Sequence, residues 1–209
     1  MSVTKSTAET YDIVNGTSKA TITLRAWSHE ASKSYRGQIQ IQSSFGNWAN
    51  SWNACGIPFK DFLVGCDFDY LFGKFAPESV HVFDGKSSLR QLRADVLALR
   101  REGRSDRDEI RALWDALNAR QDVLVQSLPN WVACLTRVII ELRESGVPGR
   151  QVLKQWRDEY DLLTEPWLRA QTMRCPVLKR FWADIWVEFT DTLKSEIDAP
   201  TEELAPSPM

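Results

Sequence analysis

Ala20-Thr21-Ile22-Thr23-Leu24-Arg25-Ala26-Trp27 is the stretch on which the fold turns. Ile22, Leu24 and Ala26 fall to one side, and Thr21, Thr23, Arg25 and Trp27 to the other. A period of two over that length describes a half-buried strand. Upstream, Tyr11-Asp12-Ile13-Val14 runs into Asn15-Gly16, a dipeptide that favours positive φ at both turn positions and so closes a hairpin. Downstream, a polar connector leads to a second alternating run, with Ile39 and Ile41 inward and Gln38, Gln40 and Gln42 outward. The three runs predict an antiparallel meander.

A sheet this small cannot bury its apolar face alone and needs a helix across it. The segment from Ser44 to Phe75 is the densest aromatic stretch in the chain. Trp48 and Trp52 stand four apart, which predicts one face of a short helix. Gly56 and Pro58 then open a helix at Phe59-Lys60-Asp61-Phe62-Leu63, and Gly65 ends it. Asp67 is placed to cap a turn through Asp69-Tyr70-Leu71-Phe72. Val80-His81-Val82-Phe83 reads as a short strand that adds an edge to the sheet, giving three to four strands in all.

Beyond Gly85 the pattern turns helical. Ser88 with Gln91 forms a capping box, followed by Leu89, Leu92, Val96 and Leu99 at helical spacing; Gly103 is the expected C-cap. Ser105 caps a second helix, with Ile110, Leu113, Leu117 and Leu124 on its apolar face. Pro129 opens a third with Trp131, Leu135, Val138, Ile139 and Leu142. A weaker helix spans Gln151 to Tyr160. The final long helix starts near Pro176, with Val177, Phe181, Ile185, Phe189 and Leu193 in a stripe that Trp182 and Trp186 widen. The expected class is α+β: a small N-terminal antiparallel sheet packed on a mainly helical C-terminal part. The expected division is a flexible N-terminus over 1–10, sheet and aromatic-rich short helices over 11–84, a helical part sharing the same core over 85–195, and a disordered acidic tail over 196–209.

The 209 residues suffice for one sizeable core or two small units. At 43% hydrophobic and 26% charged the composition is that of a globular protein. A net charge of −2 excludes a molecule that is basic all over, so any nucleic-acid role needs a local basic stripe. Cys55, Cys66, Cys134 and Cys175 are too scattered for a disulfide framework or a zinc site. The first residues lack the apolar core of a signal peptide, and no apolar run reaches bilayer-spanning length. Membrane association is not expected, and the location expected is the cytoplasm.

Neither His29 nor His81 stands in a recognisable catalytic signature, and both common phosphate-binding glycine motifs are missing. No catalytic residue, metal or cofactor is expected. The nearest approach to a metal site is Asp67-Phe68-Asp69, whose carboxylates could share a hard cation in a metal-dependent enzyme; the simpler reading is a helix cap plus a first-turn acid.

Two features point to binding. Arg90, Arg93, Arg100, Arg101 and Arg104 could grip phosphates, although Asp95, Glu102, Asp106, Asp108 and Glu109 are interleaved, which suits a solvated helix face with i,i+4 ion pairs. Nine tryptophans are many for this length. Trp27, on the polar side of its strand, and Trp156, among Lys154, Gln155, Arg157 and Asp158, are the candidates for exposed anchors of the kind that dominate interaction hot spots. The sheet edges leave a homodimer open.

The strand Ile22-Thr23-Leu24-Arg25-Ala26-Trp27 is followed by Phe45-Gly46, Trp48-Ala49-Asn50, Trp52, Cys55-Gly56, Pro58-Phe59-Lys60 and Phe62-Leu63, then by Val82-Phe83-Asp84-Gly85 and an aromatic last helix. This series resembles small accessory proteins of bacteriophages and prophages, over most of the chain. The resemblance transfers no catalytic residues. It implies a mobile-element origin, and a host or phage protein as partner, bound and blocked, with nucleases of CRISPR–Cas and other defence systems among the targets. Nucleic acid is the alternative partner.

Overall fold

The computed structural model describes residues 3, 5–29, 34–103, 107–144 and 170–199. Four antiparallel strands come first: β1 (Glu9–Asn15), β2 (Ser18–His29), β3 (Ser34–Ser43) and β4 (Gly46–Trp52), paired in the order β1-β2-β3-β4. Helices α1 (Phe59–Val64) and α2 (Phe68–Phe75) follow, then β5 (His81–Phe83). Next come α3 (Gly85–Arg101), α4 (Arg107–Ala119), α5 (Gln121–Leu124) and α6 (Leu128–Glu144). After β6 (Thr172–Arg174), α7 (Pro176–Phe181) runs through a π-helical turn (Trp182–Trp186) into α8 (Val187–Asp198). The fold is α+β.

The meander has the expected register, with Ile22 opposite Ile41 and Leu24 opposite Ile39, and all four side chains are buried. Asn15 is the last paired residue of β1, so the hairpin turn is Gly16–Thr17 rather than Asn15–Gly16. Gly16 takes φ +60°, a conformation glycine adopts without steric penalty. The fourth strand is the main departure from the sequence reading. Gly46–Trp52 is extended and pairs with β3, so Trp48 and Trp52 are not on a helix. Their spacing of four satisfies a period of two as well as a helical one; Trp48, Asn50 and Trp52 all turn inward while Asn47, Ala49 and Ser51 face water.

The chain forms two compact units. One holds the described residues up to Val80 and from Arg174 onward, and the other the described residues between His81 and Met173. The buried residues fall into two clusters accordingly. The first joins the sheet, α1, α2 and the final helix, so the last helix belongs with the N-terminal sheet. Its middle is aromatic. Trp48 meets Phe181 edge-on at 4.9 Å, Phe72 lies 4.8 Å from Phe68 and 5.9 Å from Phe181, and Trp52 donates from Nε1 to the Tyr70 hydroxyl at 3.1 Å. The second cluster is aliphatic, with Leu92, Val96, Leu113, Leu117 and Val138 around Trp131.

The π turn explains the stripe of the last helix. A strict four-residue repeat drifts about 40° per step round a 3.6-residue helix. A wider turn between Phe181 and Val187 takes up part of that drift. Phe181, Ile185, Phe189 and Leu193 are therefore all fully buried, whereas Val177, one step before the turn, is exposed. The β1–β2 hairpin pins the turn: Ser18 Oγ donates to Asp184 Oδ2 at 2.7 Å, and Asn15 Nδ2 to the Asp184 carbonyl at 3.2 Å.

Other local expectations were met or displaced in specific ways. Asp67 caps α2, accepting from the Tyr70 N–H at 2.8 Å. β5 pairs with β6 in a two-stranded sheet and does not extend the meander. Helix α3 starts earlier than the capping box implied. Asp84 is the cap, accepting from the Ser87 N–H, and Ser88 is buried one turn in. The Ser88 hydroxyl donates to the Asp84 carbonyl and accepts from the Gln171 N–H. Leu124 lies on the separate short helix α5, not on α4. The helix expected over Gln151 to Tyr160, the Ser105 cap and residues 200–209 of the acidic tail lie outside the described residues.

One polar knot ties the first unit together. Lys60 Nζ contacts Glu9 Oε2 at 2.5 Å and Glu196 Oε2 at 2.7 Å, while the Tyr11 hydroxyl, with its one proton, lies within hydrogen-bond distance of the same two oxygens, at 2.7 and 2.9 Å. The hydrogen bond from Lys60 holds the Glu9 carboxyl below its ordinary value. Burial works to lower the Lys60 ammonium, but its bonds to Glu196, Glu9 and Tyr11 outweigh that and raise it. A depressed acid stabilises the fold above its unfolded pKa and ceases to as pH falls through the folded value; a raised base stabilises below its unfolded pKa. The stability difference between the parent and Lys60→Met is therefore expected to be flat from about pH 5 to 10 and to shrink below about pH 4.5. The carboxylates are open to water, so the plateau is at most about 1 kcal/mol. Urea denaturation of both proteins at pH 3.5, 5, 7 and 9 checks it, and a difference that grows toward acid would refute it.

Candidate interaction surfaces

The cations of α3 occupy one side of the helix. At about 100° per residue, Lys86, Arg90, Arg93, Arg100 and Arg101 fall within an arc of roughly 100°, and Leu97 stands among them. Asp95 and Glu102 project to the far side, and Leu89, Leu92, Val96 and Leu99 fill the buried flank. The signs that alternate along the chain are thus separated in space. On α4 the same geometry aligns Arg107, Arg111, Trp114 and Asn118 within roughly 60°, with Asp108 and Asp115 on the neighbouring flank. Arg93 joins the two helices: its guanidinium stands 5.7 Å from the Trp114 ring and donates to Asn118 Oδ1 at 2.5 Å and Gln121 Oε1 at 3.1 Å.

None of these seven cations makes an ion pair with a described residue. Lys60, Arg120, Arg174, Arg180 and Lys194 do. Within α3, Gln91 Nε2 donates to Asp95 Oδ1 at the i,i+4 spacing, at 2.9 Å. At the start of the stripe an open groove of about 450 Å³ is lined by Lys86, Leu89, Arg90, Arg93, Gln121, Asp122 and Val125. Asp84, at the foot of α3, is held below its usual value by the Ser87 backbone N–H first and by nearby Arg90 among lesser causes. Arg104 lies outside the described residues.

The outer face of the first unit's sheet is polar. Thr23 faces Gln40 across the β2–β3 pair, Arg25 faces Gln38 and Trp27 faces Arg36. Trp27 is 39% exposed, and the Arg25 guanidinium lies 5.2 Å from its ring centroid, within cation–π range. A shallow cleft of about 450 Å³ runs past it, lined by Lys5, Ser6, Thr7, Arg25, Ala26 and Trp27. Of the other described tryptophans, Trp52, Trp131 and Trp186 are buried and Trp48, Trp114 and Trp182 half-buried. Trp156 lies outside the described residues.

The acidic pair is not brought together as a cation site. Asp67 is the α2 cap, and Asp69 is ion-paired with Arg174, whose guanidinium lies 4.9 Å from the Phe68 ring. Among the described residues no three His, Cys, Asp or Glu side chains gather as metal ligands. All four cysteines are free. Burial, aided by Asp67, pushes the Cys66 thiol up to about 12, the opposite of an activated nucleophile. His81 is exposed on β5. Among the described residues no helix is long and apolar enough to cross a membrane.

A four-stranded antiparallel sheet backed by aromatic helices, followed by a mainly helical part, defines an α+β protein whose charged and aromatic surface residues stand clear of its cores. The chain belongs to the phage family Phage_phiTE_072, whose model matches residues 1–192. The likeness to phage proteins read from the strand, the aromatic stretch and the last helix is therefore a family relationship. No curated protein and no solved structure matches the chain with significance.

Proposed function

We propose that this phage-family protein is non-catalytic, acts in the cytoplasm of the bacterial host, and binds and modulates a host protein. Components of antiviral defence, CRISPR–Cas nucleases among them, are the class of target. The observation that carries the reading is Trp27, a large aromatic left open to water on a flat polar sheet face with Arg25 beside its ring. Tryptophan and arginine are the side chains that most often concentrate binding energy at protein interfaces. The half-exposed ring offers apolar area, and the guanidinium offers hydrogen bonds to the same partner. Membership of a phage family supports a partner in the infected cell.

The test is affinity capture from host lysate with nuclease present, comparing the parent with Trp27→Ala and read by mass spectrometry. One protein retained by the parent at moderate salt and depleted at least tenfold by Trp27→Ala is the expected result. Identical captures from both would refute the assignment of this surface, and a nuclease-sensitive capture would refute the partner class.

A further inference from the structure

We propose that the α3–α4 surface of the second unit binds the sugar–phosphate backbone of nucleic acid. This goes beyond the protein-binding reading and rests on different residues. Three observations carry it. The stripe keeps to one side: Lys86, Arg90 and Arg93, then Arg100 and Arg101 beyond Leu97, span about 22 Å of helix, with the acids of α3 on the opposite side. Among the described residues its charges are not neutralised: none of the seven cations of α3 and α4 forms an ion pair there, and only Arg93 is engaged, by neutral groups, while five cations elsewhere in the chain are ion-paired. Its composition is six arginines to one lysine, and the planar guanidinium fork suits phosphate oxygens.

Local geometry supports the same ligand. Arg93 is held between Asn118, Gln121 and the Trp114 ring, so the middle of the stripe is ordered before any ligand arrives. The groove beside it is open to solvent, and Lys86, Arg90 and Arg93 line it together with Leu89 and Val125. Asp122 also lines that groove, which places the strongest phosphate sites farther along, toward Arg100, Arg101, Arg107 and Arg111. An acidic polypeptide would meet the same charge, but a sugar–phosphate backbone carries a negative charge at every step and so meets cations wherever they fall over several turns. Nothing in this arrangement reads bases, so binding is expected to be independent of sequence. The net charge of −2 is no obstacle, because a local stripe on an otherwise acidic molecule is sufficient.

The test uses the full chain and fluorescein-labelled 20-nucleotide probes, single-stranded and duplex, followed by anisotropy between 50 and 300 mM salt. Micromolar affinity at low salt is expected, with log K falling linearly against log salt at a slope of about −4 to −5 for duplex, as about five neutralised phosphates require. The triple variant Arg90→Gln, Arg100→Gln, Arg101→Gln changes only exposed side chains. It is expected to lose at least tenfold in affinity and about three in slope, with an unchanged far-ultraviolet circular dichroism spectrum. Lys19→Gln with Arg25→Gln, in the first unit, is expected to change affinity less than twofold. The relative affinity of the two probes identifies which form of nucleic acid the stripe takes. No binding of either probe at 50 mM salt would overturn the proposal. So would equal affinity of the folded triple variant, or displacement of both probes by polyglutamate at lower charge concentration than by unlabelled DNA, which would assign the surface to an acidic protein. Trp27→Ala leaves this binding intact if the proposal holds, so the two readings fail separately.

Discussion

A Phe72→Ala variant is expected to unfold at a much lower urea concentration than the parent, with about 3–5 kcal/mol of stability lost. Phe72 is fully buried. Its ring meets Phe68 at 4.8 Å, Trp48 at 5.8 Å, Phe181 at 5.9 Å, and Phe75 and Trp182 at 6.4 Å. These neighbours come from β4, α2, α7 and the π turn, so one ring touches the sheet, its own helix and the last helix of the chain. Truncation removes the transfer free energy of the ring and leaves a cavity whose walls are themselves large rings, poorly able to collapse into it. Phe72→Leu keeps much of the volume and should lose less than half as much. Hydrogen exchange read by mass spectrometry locates the effect: peptides of β1–β4 and α8 should lose protection in Phe72→Ala. Retained protection there, with the midpoint unmoved, would mean that the ring cluster does not hold the unit together.

That ring cluster also marks where the sequence stopped being informative. β2 and β3 were legible because Ile22, Leu24, Ile39 and Ile41 alternate with threonines and glutamines, a pattern only a one-faced sheet satisfies. The α2 cap was legible because Asp67 precedes its helix at the position where a carboxylate can reach a free N–H. β4 was misread because Trp48 and Trp52 alone cannot separate a period of two from a helical one; the aromatic enrichment that favours strands was the signal to weigh. The return of the last helix to the N-terminal sheet has no local signature at all, since it depends on Tyr11, Trp48 and Phe72 finding Phe189 and Phe181 more than a hundred residues away. Of the candidate surface, the arginines were visible, but their separation from Asp95 and Glu102 appears only when α3 is projected down its axis. Reading signs along the chain mixes what the helix keeps apart. The alignment of Arg107, Arg111, Trp114 and Asn118 is likewise present in the spacing, but Asp108 and Asp115 are interleaved with it along the chain.

Two helical glycines should respond to the same substitution with opposite signs, and the contrast bears on the basic surface. Gly73 lies in α2 with open space where a Cβ would go, so Gly73→Ala is expected to stabilise the protein by about 0.5–1 kcal/mol through helix propensity. Gly85, the first residue of α3, is buried, and a Cβ there would stand 2.4 Å from the Val125 carbonyl oxygen and 2.5 Å from its Cα. These are backbone atoms, so relief requires α3 and the end of α5 to separate, and Gly85→Ala is expected to cost about 1–3 kcal/mol. Thermal or urea unfolding of the two variants beside the parent measures both; a neutral Gly85→Ala would show that the α3–α5 contact is loose. The displacement would also be felt at the groove, because Val125 forms part of its wall and Gln121, one turn earlier on α5, accepts from Arg93. If the stripe on α3 and α4 binds phosphates through a guanidinium ordered in advance, Gly85→Ala should weaken the duplex probe severalfold while leaving the slope against salt unchanged, since the number of cations is the same and only their positioning is lost.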